Sequence, residues 1–123
     1  MNVQSIKSQL QKNYSGKKIV VASSVEDTKE IICEIDPAKN HSEYSVCITV
    51  FDSITPHFHK KTTETYKVIR GVATIFLNDK KHILQKDESI QINPGVVHSA
   101  MGSETWVECS SKPGWVIEDH HLV

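Results

Sequence analysis

The stretch HFHKKTTETYKVIRG, residues 57–71, carries the main information about the fold and the chemistry of this chain. Its second half contains TYKVI, a run rich in β-branched and aromatic residues, which favours a strand. Alternate residues of a strand point to the same face, and this spacing makes His57 and His59 project together. Glu64 follows after a polar step that is long enough to turn into the next strand. Two imidazoles and a carboxylate can therefore approach one point, which predicts a metal site.

A second segment, INPGVVH at residues 92–98, adds another histidine. Pro94 and Gly95 favour a sharp turn, because proline fixes φ and glycine tolerates unusual backbone angles. His98 then begins the next strand, at the position where a turn would deliver one more imidazole to the site. Imidazole and carboxylate groups together suit Mn, Fe, Ni or Zn better than Mg or Ca.

Outside these two segments the chain consists mostly of short runs rich in β-branched residues. Turn-like segments separate them at residues 23–28 and 36–42, and Asn78-Asp79 is typical of a tight hairpin turn. Many short strands without long helical patterns predict an all-β fold, a sandwich or a barrel. At the N-terminus, Val3, Ile6 and Leu10 have helical spacing, so a short helix is expected there. The predicted strands are KIVV, EIICEI, YSVCITVF, TYKVI, VATIFL, KHILQ, SIQI and TWVECS.

The two segments resemble the two motifs of the cupin superfamily. The first motif is HxH, three or four residues, Glu, six residues and Gly, and residues 57–71 match every defined position. The second motif is Gly, five residues, PxG, two residues and His. Gly95 and His98 match it, whereas Asp87 stands at the position of the first glycine and Asn93 at that of the proline.

The resemblance implies a single domain over residues 1–123 with the double-stranded β-helix, or jelly-roll barrel, of the cupins. The core that carries the motifs runs from about residue 46 to residue 110. It also implies a homodimer, for which we expect the N-terminal third to form the contact. The four residues that it implies as ligands of one divalent transition metal ion (Mn, Fe, Ni or Zn) are His57, His59, Glu64 and His98.

Charge and cysteine content indicate which binding partners and which cellular compartment to expect. The chain has 14 basic and 15 acidic residues and a formal net charge of -1, which does not indicate binding to nucleic acid or to an anionic membrane. The three cysteines, Cys33, Cys47 and Cys109, form no CxxC pair and are expected to be reduced thiols. The N-terminal segment lacks the apolar run of a signal peptide, so a cytoplasmic location is expected.

A centre of this kind could stabilise an enolate, generate hydroxide or activate dioxygen. The first hypothesis is an isomerase or lyase that acts on a small polar substrate such as a sugar or a sugar phosphate. The second is an iron-dependent dioxygenase, and the third is a non-catalytic metal- or sugar-binding module. Proton transfer needs a further group inside the barrel, and Tyr66 is a candidate catalytic residue because it shares the strand face of Glu64. A thiol oxygenase would place a Cys–Tyr pair, such as Cys109 and Tyr66, beside the metal.

The other histidines are expected to lie outside the site. His41 falls in a polar loop, and His82 is expected to face the exterior. His120 and His121 belong to a polar chain end, which is more often laid on the surface or disordered than part of a site.

Overall fold

The computed structural model describes residues 1–23 and 27–123. Within them the chain forms one α-helix, a 3₁₀ helix at Ile117–Asp119 and nine strands. The helix, α1, spans Val3–Asn13. The strands are β1 Lys18–Ser23, β2 Thr28–Asp36, β3 Ser45–Phe58, β4 Thr63–Arg70, β5 Ala73–Leu77, β6 Lys80–Leu84, β7 Ser89–Ile92, β8 His98–Lys112 and β9 His121–Leu122.

All the strands of the described residues belong to one antiparallel sheet, which confirms the all-β cupin-type fold. The main path of the sheet is β1-β2-β3-β8-β4-β7, with β5 pairing both β6 and β8, and β9 pairing β3. The hydrogen bonding does not close on itself, because β1 and β7 stand at opposite ends of this path. The expected barrel is therefore an open one. No helix among the described residues has the length and apolar character that crossing a membrane requires.

The N-terminal helix forms where the spacing of Val3, Ile6 and Leu10 predicts it. The side chain of Asn2 caps its first turn by accepting a hydrogen bond from the Ser5 backbone N–H at 3.0 Å. Ile6 and Leu10 are almost completely buried, and they pack with apolar residues of the sheet. We call this group the helix-side core; its buried members are Ile6, Leu10, Ile31, Cys33, Ile48, Val50 and Trp106.

Turns with positive φ occur at the predicted punctuation. Asn78 and Asp79, with φ of 47° and 68°, connect β5 to β6 as a two-residue hairpin. Gly95 has a φ of 84° in the turn before β8. Asp87, where the cupin motif has glycine, takes the glycine-like φ of 72°, because aspartate tolerates this region better than most residues. The turn predicted over 23–28 falls mainly on residues 24–26, outside the described residues.

The alternation of side chains along β2 gives the sheet two different faces. Ile31 and Cys33 point to the helix-side core, whereas Glu30, Ile32 and Glu34 line a cavity on the other face. Residues of β4 follow the same rule. The predicted inward position of Tyr66 is confirmed by its burial, together with Val68, in a second core on the cavity side. The candidate site therefore lies on the face opposite to the helix.

Candidate metal centre

Strand register brings the four predicted metal-binding residues together. His57 lies near the end of β3 and is paired directly with His98, the first residue of β8. His59 follows immediately after β3, and Glu64 is the second residue of β4, which pairs with the other end of β8. Ring centroids of His57 and His98 are 4.1 Å apart, and those of His57 and His59 are 5.1 Å apart. The structure thus unites residues that come from three strands.

The cluster is deeply buried and compact. The exposed fraction of each residue is 5% for His57, 3% for His59, 3% for Glu64 and 1% for His98. One possible ligand atom from each residue lies within 4.8 Å of the others. Four polar side chains buried at this depth are costly unless each has a partner. The cluster therefore needs a proton network or a bound cation to be satisfied.

Hydrogen bonds to the backbone set the direction of each imidazole. The Nδ1 atom of His57 lies 2.8 Å from the Thr55 carbonyl oxygen, that of His98 lies 3.0 Å from the Val96 carbonyl oxygen, and that of His59 lies 2.8 Å from the Asp119 carbonyl oxygen. A carbonyl oxygen can only accept, so Nδ1 is the protonated nitrogen in each ring. In the neutral imidazoles the Nε2 lone pairs remain free, and metal-binding histidines are commonly oriented in this way.

The Nε2 atoms of His59 and His98 both face the Glu64 carboxylate, but only one of them has a hydrogen bond to it. Glu64 Oε1 lies 3.0 Å from the Nε2 atoms of both His59 and His98. The contact with His98 has the geometry of a hydrogen bond, whereas His59 Nε2 is buried without a correctly aligned hydrogen bond. A lone pair facing a carboxylate is repulsive unless a proton or a metal ion lies between them. Three nitrogens and one carboxylate oxygen match the donor set of a divalent transition metal.

Burial and neighbouring groups shift the pKa values of three of the four clustered residues. Burial lowers the pKa of His57 to about 4, and its electrostatic interaction with the neighbouring His98 acts in the same direction. For His59, burial acts to lower the pKa, but the interactions with Glu64 and with Asp119 together outweigh it and the net pKa is raised. Burial acts to raise the pKa of Glu64, yet its contacts with His59 and His98 hold that pKa well below the usual range. An ionised carboxylate and a neutral His57 are the forms that bind metal.

A cavity of about 440 Å³ opens beside this cluster, with His57 and Glu64 in its wall. Its volume is in the range of small-molecule sites. Tyr66, the candidate catalytic residue, is buried and lines the cavity. Cys109 of β8 is paired directly with Tyr66 of β4. The Cys109 thiol also donates to Glu64 Oε2 at 3.3 Å, so the structure brings the Cys–Tyr pair to the candidate centre.

Comparison with known families agrees with this geometry. The model of the cupin domain matches residues 45–105, about half of the chain. The chain belongs to the cupin superfamily. The region that the family model matches contains His57, His59, Glu64 and His98, whereas helix α1, strands β1 and β2, and the C-terminal segment lie outside it.

Solved structures of other cupin-type proteins share the fold. A Streptomyces PAC13 variant with uridine aligns with a TM-score of 0.76 and 13% identity over 89% of this chain and 86% of that chain. PAC13 is described as a nucleoside dehydratase. KdgF from Halomonas sp. aligns with a TM-score of 0.64 and 17% identity over 74% of this chain and 85% of that chain. A protein from Planctomyces limnophilus aligns with a TM-score of 0.70 and 23% identity over 89% and 92% of the two chains. Curated protein sequences give no match.

Glu30 is a cavity residue of this cupin that the sequence did not reveal. It lies on β2, outside the family match, and its carboxylate accepts a hydrogen bond from Thr49 Oγ1 at 2.7 Å. Burial raises the pKa of Glu30, although the hydrogen bond from Thr49 partly opposes this. Glu30 is therefore a second inward-facing candidate for proton transfer, beside Tyr66. A glutamate between isoleucines in EIICEI is a weak sign of such a position, because a solvent-facing strand gives the same pattern.

The C-terminal segment also differs from the expectation of a surface tail. Asp119 is buried, and its carboxylate accepts hydrogen bonds from the loop between His59 and Glu64. The ring of His120 stacks on that of His57, with centroids 4.5 Å apart. Strand β9 pairs with the end of β3, so the chain end returns to the candidate centre. Pairing over such a sequence distance has no local signature, which is why the sequence did not predict it.

The three remaining histidines lie apart from the cluster, and one of them, His121 of β9, places its Nε2 3.4 Å from the Asp119 carboxylate. His41 contacts the Asp36 carboxylate at 2.8 Å in the segment that connects β2 to β3. His82 lies on β6, is partly exposed, and is not among the residues that line the cavity.

Proposed function

We propose that this cupin is a metal-dependent lyase or isomerase that acts on a small uncharged molecule bearing hydroxyl groups, such as a sugar or a nucleoside. The observation that carries the proposal is the convergence of three imidazoles and the Glu64 carboxylate at the wall of a cavity of about 440 Å³. The fold relationship to a nucleoside dehydratase is compatible with this class of reaction. That likeness concerns the fold alone, and fold does not determine function, so the proposal rests on the side chains of the site.

The four clustered residues would hold one divalent transition metal ion. When bound, such an ion supplies Lewis acidity that polarises a carbonyl or hydroxyl oxygen of the substrate. The hydrogen bonds from the Nδ1 atoms of His57, His59 and His98 to backbone carbonyls keep the imidazoles in the required tautomer. Apolar side chains such as Val46, Ile54 and Trp115 in the same cavity displace water from a bound substrate.

Glu30 and Tyr66 are the side chains that we assign to proton transfer. Burial raises the pKa of Glu30, which brings this carboxyl closer to neutral pH and makes it a better proton acceptor. Burial, reinforced by the charge of Glu64, raises the pKa of Tyr66 well above its ordinary value. The Tyr66 phenol therefore stays protonated and can donate a hydrogen bond to an oxygen on which negative charge develops. Glu30 would accept a carbon-bound proton of the substrate.

The charge of the cavity favours an uncharged substrate over a phosphorylated one. The charged side chains among the described residues that line it are those of Glu30, Glu34 and Glu64. No lysine or arginine is found among these lining residues, and phosphate sites usually contain one or both. Of the two substrate types expected from the sequence, the sugar is therefore favoured over the sugar phosphate.

The test is a reconstitution followed by a screen in heavy water. Metal-free protein is loaded separately with Mn, Fe, Ni or Zn and incubated with sugars, the matching sugar phosphates and nucleosides in D₂O. Proton NMR then detects loss of a carbon-bound hydrogen signal or the appearance of vinyl signals after water loss. We expect such changes with at least one uncharged compound, and none with metal-free protein or the E64A variant. Ligand binding without any such change would support the non-catalytic module instead.

An iron-dependent dioxygenase is the second candidate function. The specific observation in its favour is the direct pairing of Cys109 with Tyr66 beside Glu64. Oxygen consumption by iron-loaded protein in the presence of a thiol or an aromatic compound, measured with an oxygen electrode, would favour this candidate. We would then expect the C109S variant to change the rate, and the C33S variant, which alters the opposite face, to leave it unchanged.

We also propose a homodimer, in which β1 of the N-terminal third would be the contact. This strand stands at one end of the main sheet path, where an unpaired edge can accept another strand. Light scattering at micromolar concentration tests the proposal, and a monomer would contradict it.

A further inference from the structure

The C-terminal segment of this chain returns to the candidate metal centre after the end of the family match at residue 105. The 3₁₀ helix Ile117–Asp119 leads into β9, whose two residues pair with Phe58 and His57 at the end of β3. His120, which lies between the 3₁₀ helix and β9, stacks on His57 and lines the cavity. The segment is therefore built into the wall of the site.

Asp119 makes the contacts that connect this segment to the candidate ligands. Its carboxylate accepts three consecutive backbone N–H groups, from Lys60 at 2.8 Å, Lys61 at 3.0 Å and Thr62 at 3.2 Å. These residues form the loop between His59 and Glu64. A carboxylate that receives three backbone donors fixes the loop strongly, because hydrogen bonds to a charged acceptor are stronger than neutral ones.

The backbone of the same residue orients His59. The Asp119 carbonyl oxygen accepts the Nδ1–H of His59 at 2.8 Å, which leaves His59 Nε2 pointing at Glu64. The corresponding carbonyl acceptors of His57 and His98 come from residues two positions earlier in the chain. For His59, by contrast, the acceptor is 60 residues away. The orientation of His59 therefore depends on the docking of the C-terminal segment.

We propose that Asp119 is a positioning residue of the metal centre: its carboxylate holds the loop from Lys60 to Thr62, and its carbonyl oxygen orients His59. This inference rests on the proposed function, because it assumes that the cluster binds a metal ion. Asp119 lies outside the two cupin motifs, so the proposal assigns the C-terminal segment a role in the metal centre. Loss of an outer hydrogen-bond partner of a metal ligand typically weakens metal binding by about 10–100-fold.

The experiment compares metal binding by the full-length protein and three variants. D119A removes all side-chain acceptors, D119N retains one oxygen acceptor, and E118Q is the matched control because Glu118 is exposed in the same segment. Affinity for Zn is measured by competition with a chromogenic chelator. The visible absorption spectrum of the Co-loaded protein reports ligand geometry, a property that a purely structural role would leave unchanged.

We expect D119A to lose about 10–100-fold in affinity and to alter the Co spectrum, D119N to lose less, and E118Q to match the unaltered protein. If D119A does not fold, the D119N variant decides by the same two measurements. Unchanged affinity and an unchanged Co spectrum in the folded Asp119 variants overturn the inference while the metal centre stands. Failure of the unaltered protein to bind Zn or Co contradicts the proposed function itself and, with it, the inference.

Discussion

The two faces of strand β2 differ in composition and in the role of their side chains. On the face toward α1, Ile31 and Cys33 are completely buried in the helix-side core. On the opposite face, Glu30 and Glu34 line the cavity beside the candidate metal centre. Burial of apolar surface on the first face stabilises the folded state. The second places carboxylates in a partly desolvated wall, which is unfavourable for folding and is typical of a functional site.

The same contrast recurs on β3 and β8. Val50 of β3 and Trp106 of β8 belong to the helix-side core, whereas His57 and His98, at the ends of these strands, belong to the polar cluster. One strand thus contributes to stability through one part and to the site through another. The comparison predicts that changes on the two faces have separable effects, on metal binding in one case and on the free energy of unfolding in the other.

The largest effect is expected from the candidate ligands on the cavity face. Replacing His59 or Glu64 by alanine should weaken metal binding by more than the about 100-fold that marks the loss of an outer partner, because one of four donor atoms disappears. Metal content per chain after dialysis measures this, with circular dichroism as a check on folding. The H82A variant is the control, since His82 lies on β6 outside the cluster. Equal metal loss in H82A would show that the site is assigned wrongly.

On the helix face, the L10A variant should destabilise the protein without affecting the folded site. Leu10 is completely buried in the helix-side core, and truncation of such a leucine typically costs about 2–5 kcal/mol in the free energy of unfolding. Urea denaturation measures this cost, and the exposed Gln11→Ala on the same helix should change it by less than about 0.5 kcal/mol. If the folded L10A protein binds metal as weakly as E64A, the two faces are coupled and the comparison fails.

Lower pH should weaken metal binding through His59 before it affects His57. The pKa of His59 is raised by the Glu64 carboxylate despite burial, whereas that of His57 is lowered to about 4. Metal binds the deprotonated imidazole, so a proton on His59 competes with metal as pH falls through the range around the raised pKa of His59, which lies above the ordinary imidazole value of about 6.5. We expect about a tenfold loss of affinity per pH unit below that range, if one proton is displaced. Chelator competition between pH 8 and pH 5 tests this, and a constant affinity would contradict it.

The smallest effect is expected at the outer edge of the helix-side core. The Arg70 guanidinium lies 4.4 Å from the centroid of the Trp106 ring, and its Nη1 donates to Gln9 Oε1 of α1 at 2.8 Å. Because Arg70 is exposed, R70A should cost only about 0.5–1 kcal/mol in the free energy of unfolding. Metal affinity should stay the same. A loss of metal affinity in R70A would mean that packing in the helix-side core affects the metal centre.

Local patterns in the sequence were sufficient for α1, for strands β1 to β8 and for the four clustered residues. The β-branched runs predicted the strands, the spacing of Ile6 and Leu10 predicted α1, and Asn78-Asp79 predicted the hairpin. The motif HxH with Glu64 and the turn before His98 predicted which residues would meet. These features depend on interactions between residues that are close in sequence, or on spacings that a known family shares.

Only the tertiary structure decided what surrounds those four residues. Glu30 reaches the cavity because β2 pairs with β3, and Cys109 faces Tyr66 because β8 pairs with β4. The contact of Asp119 with His59 spans 60 residues of the chain. A glutamate in a strand or an aspartate near a chain end has the same local sequence whether it faces solvent or a buried site. Strand register and the return of the C-terminal segment distinguish these cases, because they are set by the packing of the whole sheet.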